Sequence, residues 1–201
     1  MQKKPLVSIL IANYNNSPYI QHCINSLNSQ TYRNLEMIFF DDNSSDNSID
    51  IVKQFSNVKI IENKTQTKFG SLNQLNAFKE AIKISKGDLI FLLDSDDYFN
   101  KEKIEKVVNY FNNNKNAKIV FDYPLIVENN NIYSEKTKVR FFKTYWPYIH
   151  PTSCISVKKN CFEELLKVIS YKDFTDVWLD LRICLFSKYI LKDFHIINEN
   201  L

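Results

Sequence analysis

The sequence predicts an α/β fold built on a parallel sheet, and three observations carry that expectation. Short, branched apolar runs alternate with segments of helical spacing from Leu6 to Phe111. Three of those runs end in polar residues: Asn13-Tyr14-Asn15, Asp41-Asp42-Asn43 and Asp94-Ser95-Asp96-Asp97. The composition is globular, 44% hydrophobic and 24% charged over 201 residues, enough for one domain with its own core.

Leu6 to Ala12 reads as a buried strand, being short and nearly all apolar. Ser17-Pro18 opens a helix, with proline in the first turn, where its missing N–H costs nothing; Ile20, Cys23, Ile24 and Leu27 give the inward stripe. Leu35 to Phe40 is a second strand. Asp46 is placed to cap a helix carrying Ile49, Ile51, Val52 and Phe55, and Val58 to Ile61 is a short third strand. Residues 71–85 fit a helix with Leu72, Leu75, Phe78 and Ile82 inward. Lys86-Gly87-Asp88 is a turn, and Leu89 to Leu93 the next strand. Asn100 can cap a helix whose Ile104, Val107, Val108 and Phe111 match the i, i+3, i+4, i+7 template. Beyond it the pattern loosens. Residues 117–127 read as one or two strands, 128–131 as a turn and 139–146 as strand or loop. His150-Pro151-Thr152-Ser153 is expected to cross the mouth of the sheet, ahead of helices at 159–170 and 175–187 and a strand near 194–197.

Several classes drop out. Twenty-six basic against 23 acidic residues give a net charge of +3 with no long basic stripe, so nucleic acid is not the expected partner. Lys101, Lys103 and Lys106 read as a solvated helix face. The four cysteines lack metal-ligand spacing and sit among apolar residues, as core side chains do. Met1 to Pro5 leads straight into a strand, and no apolar run approaches the ~20 residues of a membrane helix. The expectation is a cytoplasmic, reduced protein, with attachment at the inner face of the membrane left open. Only two glycines occur, Gly70 and Gly87, so no glycine-rich phosphate loop follows the first strand. That removes P-loop and dinucleotide-binding enzymes and disfavours sugar nucleotidyltransferases.

Open α/β sheets bind ligands outside the carboxyl ends of their strands. Three carboxylates within four residues, Asp94, Asp96 and Asp97, repel one another unless a cation lies between them. Hard divalent ions favour such oxygens and bridge them to substrate phosphates. Tyr14 offers a base a flat face and a hydroxyl, and Asp42 can accept from a base N–H. The reading is a metal-assisted reaction on a phosphorylated compound.

Those three segments, with Pro5-Leu6-Val7-Ser8-Ile9-Leu10-Ile11-Ala12 before the first and Ser44-Ser45-Asp46 after the second, resemble the motifs of family 2 glycosyltransferases. The middle one is similar to that family's Asp-Asp-Gly-Ser loop, and the third to its DxD motif. The similarity is strong over residues 5–114 and weaker to 197. It implies a single GT-A domain over 1–201, a Rossmann-like, mostly parallel sheet flanked by helices with a smaller mixed acceptor-side subregion. Residues 1–98 would form the nucleotide-sugar half and 99–201 the acceptor half. The implied activity is inverting transfer of a sugar from a nucleotide-diphospho-sugar, a UDP-sugar above all, to an acceptor hydroxyl of a glycan or lipid-linked glycan, with Mn²⁺ or Mg²⁺ as cofactor. Surface polysaccharide or glycolipid synthesis in bacteria is the implied setting. Ala12 and Tyr14 would border the base, Asp42 would bind it, and Lys68 would contact base or phosphate. Asp94 and Asp96 would be the DxD acids, with Asp96 and Asp97 at the metal.

Phe174-Thr175-Asp176-Val177-Trp178-Leu179-Asp180-Leu181-Arg182 resembles the segment that carries the family's catalytic base, and Asp176 falls at that position. Thr175 stands where many members have a second acid. Asp173 and Asp180 are competitors, Asp180 reading more simply as an exposed or salt-bridged helix residue. His150 is open between a contact to sugar or diphosphate and a solvated loop position. Trp146 and Trp178 are open between core packing and stacking on sugar rings. Asn43 replaces the family's glycine and tolerates left-handed backbone. Asn73-Gln74-Leu75-Asn76 departs from its Ala-Arg-Asn segment. The rival reading is a non-catalytic nucleotide- or glycan-binding module on the same fold.

Overall fold

A computed structural model describes residues 4–128, 131–134, 149–170 and 173–201. Four parallel strands form its first half: β1 (Val7–Asn13), β2 (Leu35–Asp41), β3 (Val58–Glu62) and β4 (Leu89–Asp94). Between and after them come α1 (Ser17–Asn28), α2 (Ser48–Val52), α3 (Gly70–Ile84) and α4 (Lys103–Asn113). The second half adds β5 (Ile119–Tyr123), the hairpin of β6 (Leu125–Glu128) and β7 (Asn131–Ser134), β8 (Ile155–Lys158), α5 (Lys159–Ile169), α6 (Leu179–Phe186) and β9 (His195–Asn200). Among the described residues the main sheet has seven strands in the order β3-β2-β1-β4-β8-β5-β9.

The alternation of side chains along β1 explains the three layers. Val7, Ile9 and Ile11 face α1, α2 and α4, with Ile24, Val52 and Val107 among the residues they join. Leu10 points the other way, into a core with Phe78 of α3, Phe162 of α5 and Ile183 of α6. The four cysteines are buried free thiols, in keeping with the sequence.

The sheet is mostly parallel, as expected, and the correction is a strand at residues 155–158 that the sequence left unassigned. β8 runs antiparallel to both β4 and β5. It was missed because Ile-Ser-Val-Lys is too short to show a period. Lys103 is a second correction: it is 1% exposed rather than part of a solvated face, and its Nζ lies 2.8 Å from Asp122 and 2.9 Å from the Ser153 carbonyl. The last helix begins at Leu179, not Thr175. Residues 175–178 are turn and extended backbone, and a π-helical turn, Ser187–Leu191, follows α6. The expectation for 139–146, including Trp146, lies outside the described residues. Among the described residues no helix is long and apolar enough to cross a membrane.

Candidate active site

β2 and β3 lie on one side of β1, and β4 and β8 on the other, so the strand order reverses direction at β1–β4. A crevice opens outside the carboxyl ends of such a pair. Here it is a cleft of about 610 Å³, and Ala12, Tyr14, Asp42, Lys68, Asp94 and Asp96 all line it. Asp97 and Asp176 are not among its lining residues.

Adjacent residues divide the work of building the loops. Asn13 donates through Nδ2 to Asp41 at 2.7 Å, and Ser44 donates to the same carboxylate through its Oγ at 2.6 Å and its N–H at 2.9 Å. Ser95 Oγ closes the group on Asn13 Oδ1 at 2.7 Å. Asn13, Asp41 and Ser95 therefore knit three strand ends together, while Tyr14, 52% exposed, and Asp42 face the cleft. Both Asn15 (φ 53°) and Asn43 (φ 57°) are left-handed, as expected of Asn43. Asp46 serves two helices: it accepts from Ser48 N–H at 3.0 Å and from Ser17 N–H at 2.9 Å. Burial opposes its ionisation, yet the Ser48 hydroxyl, which also donates to it, and these two N–H bonds carry its carboxyl down to about 2.

Asp42 is nearly buried, and its two oxygens accept from Asn63 Nδ2 at 2.7 Å and Gln66 Nε2 at 3.0 Å. A carboxylate has about four lone-pair sites, so it is oriented without being saturated. Lys68 is exposed, with Nζ 5.0 Å from the Phe69 ring centroid.

Asp94 accepts from Gln74 Nε2 at 3.1 Å, and its N–H donates to Ser153 Oγ at 3.1 Å. Burial pushes its carboxyl up to about 7; the charges of Asp97, Asp96 and Asp180 push the same way, against the bond from Gln74. Asp97 turns from the cleft and accepts from Ser153 Oγ at 2.6 Å. It too is raised, first by desolvation and then by Asp96, with Ser153 and Lys103 acting in the opposite sense. Among the described residues no three His, Cys, Asp or Glu side chains converge as a ready-made metal cage. A Mg²⁺-type ion needs only one or two carboxylates beside substrate phosphates. An all-oxygen pair such as Asp94 and Asp96 suits a hard divalent ion, which would favour the ionised form of Asp94.

The opposite wall comes from the start of α6. Trp178, 51% exposed, and Asp180 line the cleft, as do Gln74 and Thr152. Asp180 is half-buried, and burial raises its carboxyl even though Leu181 N–H donates to it at 2.7 Å. Asp176 sits exposed on the turn before Trp178. Arg182 is buried and gives hydrogen bonds to the carbonyls of Val177 (2.7 Å), Ile169 and Phe174, fixing the turn that carries Asp176.

His150 is fully buried, not a cleft or solvated residue. Its Nδ1–H donates to the Asp122 carbonyl at 2.7 Å, and its ring lies 4.9 Å from Phe121 and 5.3 Å from Tyr123 between centroids. Gln66 carries no signal in the sequence, and Gln74 and Thr152 stand in segments expected near the site but as neutral polar side chains gave no role of their own. Trp178 and Asp180 were weighed, but their direction depends on where α6 starts.

The family model for glycosyl transferase family 2 matches residues 8–180. A UDP-Glc:α-D-GlcNAc-diphosphoundecaprenol β-1,3-glucosyltransferase, WfaP, of Escherichia coli is 37% identical over 131 residues, covering 65% of this chain and 47% of that protein. A poly(ribitol-phosphate) β-glucosyltransferase of Bacillus spizizenii is 37% identical over 115 residues, 54% of this chain and 18% of the relative. The chain thus spans under half the length of either. In fold it is similar to S. aureus TarS 1-349 in complex with UDP, with a TM-score of 0.72 at 16% identity over 97% of this chain and 58% of that one. A mannosyltransferase of Pyrobaculum calidifontis in complex with GDP-Man and Mn²⁺ is similar over 98% of this chain and 55% of its own, at a TM-score of 0.68 and 17% identity. With its α/β GT-A architecture and a match over most of its length, the chain belongs to glycosyl transferase family 2.

Proposed function

We propose that this protein transfers a sugar from a nucleoside-diphospho-sugar, a UDP-sugar, to an acceptor hydroxyl with inversion, at the cytoplasmic face of a bacterial membrane where surface polysaccharide or glycolipid is built. The observation that carries the reading is the shared cleft in which Tyr14, Asp42, Lys68, Asp94 and Asp96 meet. Ala12 and Tyr14 border the base, and Asp42, held by Asn63 and Gln66, accepts from a base N–H. Lys68 meets the phosphates. Asp94 and Asp96 would hold the ribose hydroxyl and Asp96 the Mn²⁺ or Mg²⁺, with Asp97 joining the ion only by turning from Ser153 into the cleft. The ion supplies charge stabilisation for the departing diphosphate. Asp176 takes the acceptor proton as the anomeric centre becomes oxocarbenium-like. Residues 1–98 bind the donor and 99–201 shape the acceptor side. The named donor of the E. coli relative, UDP-Glc, and the UDP held by TarS support the choice of nucleotide. The Mn²⁺ beside GDP-Man in the archaeal neighbour supports the ion.

A non-catalytic binding module is the second reading, favoured by the exposed place of Asp176 outside the cleft. Incubation with UDP-glucose, UDP-GlcNAc and GDP-mannose in Mn²⁺, followed by NMR of the released sugar, separates the two. Release of the β-anomer from an α-linked donor is expected. Tight UDP binding with no turnover on any acceptor glycan would leave the binding module.

A further inference from the structure

Trp178 is the least expected wall of the cleft, since an indole of this size is ordinarily packed away from water. Its neighbours hold it in place rather than merely leaving it out. The outer edge of its six-membered ring abuts Gly70, where a Cβ would stand 3.1 Å from Cη2. Gly70 has no positive φ, so the fit to the ring, not a backbone turn, is what favours glycine there. Upstream, the Thr175 carbonyl accepts from Ser71 Oγ; downstream, Leu179 N–H meets Gln74 Oε1 at 3.5 Å, and the Trp178 carbonyl accepts from Arg182 N–H at 3.2 Å. Residues from the first two turns of α3 thus seat the indole from both sides.

Around this half-exposed ring the cleft offers hydrogen-bonding groups: Asp180 two residues on, Gln74, Thr152 and Asp94. An apolar plane edged with acceptors and donors matches one chemical class closely. A pyranose presents a C–H face to an aromatic ring and hydroxyls around its rim. An open-chain polyol lacks the face, and a bare lipid hydroxyl lacks both. We infer that Trp178, seated on Gly70, is the stacking platform for a pyranose ring of donor or acceptor. The inference rests on the transferase reading for the identity of the cleft and adds to it the residue on which the sugar ring lies.

The chain has two tryptophans, so Trp146→Phe leaves Trp178 as the sole indole. Its fluorescence is followed while UDP, UDP-GlcNAc, methyl β-D-glucopyranoside with saturating UDP and Mn²⁺, and ribitol are added in separate titrations. The signal should be little changed by UDP or ribitol. A response to UDP-GlcNAc assigns the platform to the donor sugar, and a response to the glucoside assigns it to the acceptor. In either case Trp178→Ala should weaken that sugar about three- to tenfold with UDP affinity intact, and Trp178→Tyr should restore most of it, the span expected of an aromatic contact. UDP binding by calorimetry with no indole response to either sugar overturns the platform alone. A response to UDP equal to that of UDP-GlcNAc also overturns it, in favour of base stacking. Loss of UDP binding with the glucoside response retained overturns the nucleotide-sugar reading and leaves the platform standing.

Discussion

Asp176 and Asp180 stand one helical turn apart in sequence but in different surroundings, one exposed on a turn and one half-buried on the cleft wall. The base assigned to Asp176 is tested by Asp176→Asn, which should lower kcat by about 10²-fold or more while UDP affinity holds, the size of a lost general base. The reverse pattern, with Asp180→Asn losing turnover and Asp176→Asn keeping it, would move the base onto the cleft wall. Lys103 makes a sharper claim about stability. Lys103→Met strands the Asp122 carboxylate in the core and should cost about 3–5 kcal/mol in urea denaturation, whereas pairing it with Asp122→Leu should recover most of that. His150 gives the pH dependence. Burial pushes it down to about 4, so it stays neutral in the fold while the unfolded chain takes up a proton below about 6.5. Stability from this residue is therefore complete above about 6.5 and lost as pH falls toward 4, by up to about 3 kcal/mol. Urea midpoints between pH 7 and 4.5 should show that slope, and His150→Phe should flatten it.

At the scale of elements, the legible parts were those with room for a pattern. β1, β2 and β4 are six or seven residues of nearly unbroken apolar character, and α4 repeats its stripe over three turns. β8 has four residues, and its place between β4 and β5 is a long-range pairing that no local window contains. The late start of α6 has a physical cause that spacing hides. Arg182 claims the carbonyls of Phe174 and Val177 with its guanidinium, which holds residues 174–178 out of the helix and turns Trp178 into the cleft. Arg182→Met should speed amide exchange across 173–178 while β1 and β4 stay protected. The turn before β4 is equally specific. A Cβ on Gly87 would lie 2.5 Å from the Ser8 backbone nitrogen, so Gly87→Ala should destabilise by about 1–3 kcal/mol, toward the upper end because backbone cannot yield.

Over the whole molecule, charged and aromatic motif residues announced one side of the cleft, and neutral ones built the rest. Tyr14, Asp42, Asp94 and Asp96 were readable because a strand end needs no doubled carboxylate to leave a core. Asn63 and Gln66, which orient Asp42, Gln74, which holds Asp94, and Ser153, which holds Asp97, are ordinary polar residues brought in from loops and helices distant in sequence. The same topology that gathers them also gathers negative charge, and under the proposed function a divalent ion and a nucleoside diphosphate together complete the cleft. Calorimetric titration of UDP with and without Mn²⁺, on the native protein and on Asp96→Ala, tests it most directly. Binding that requires both the ion and Asp96 is the predicted result. UDP binding equally well without either, or no binding of UDP, dTDP or GDP under any condition, would contradict it.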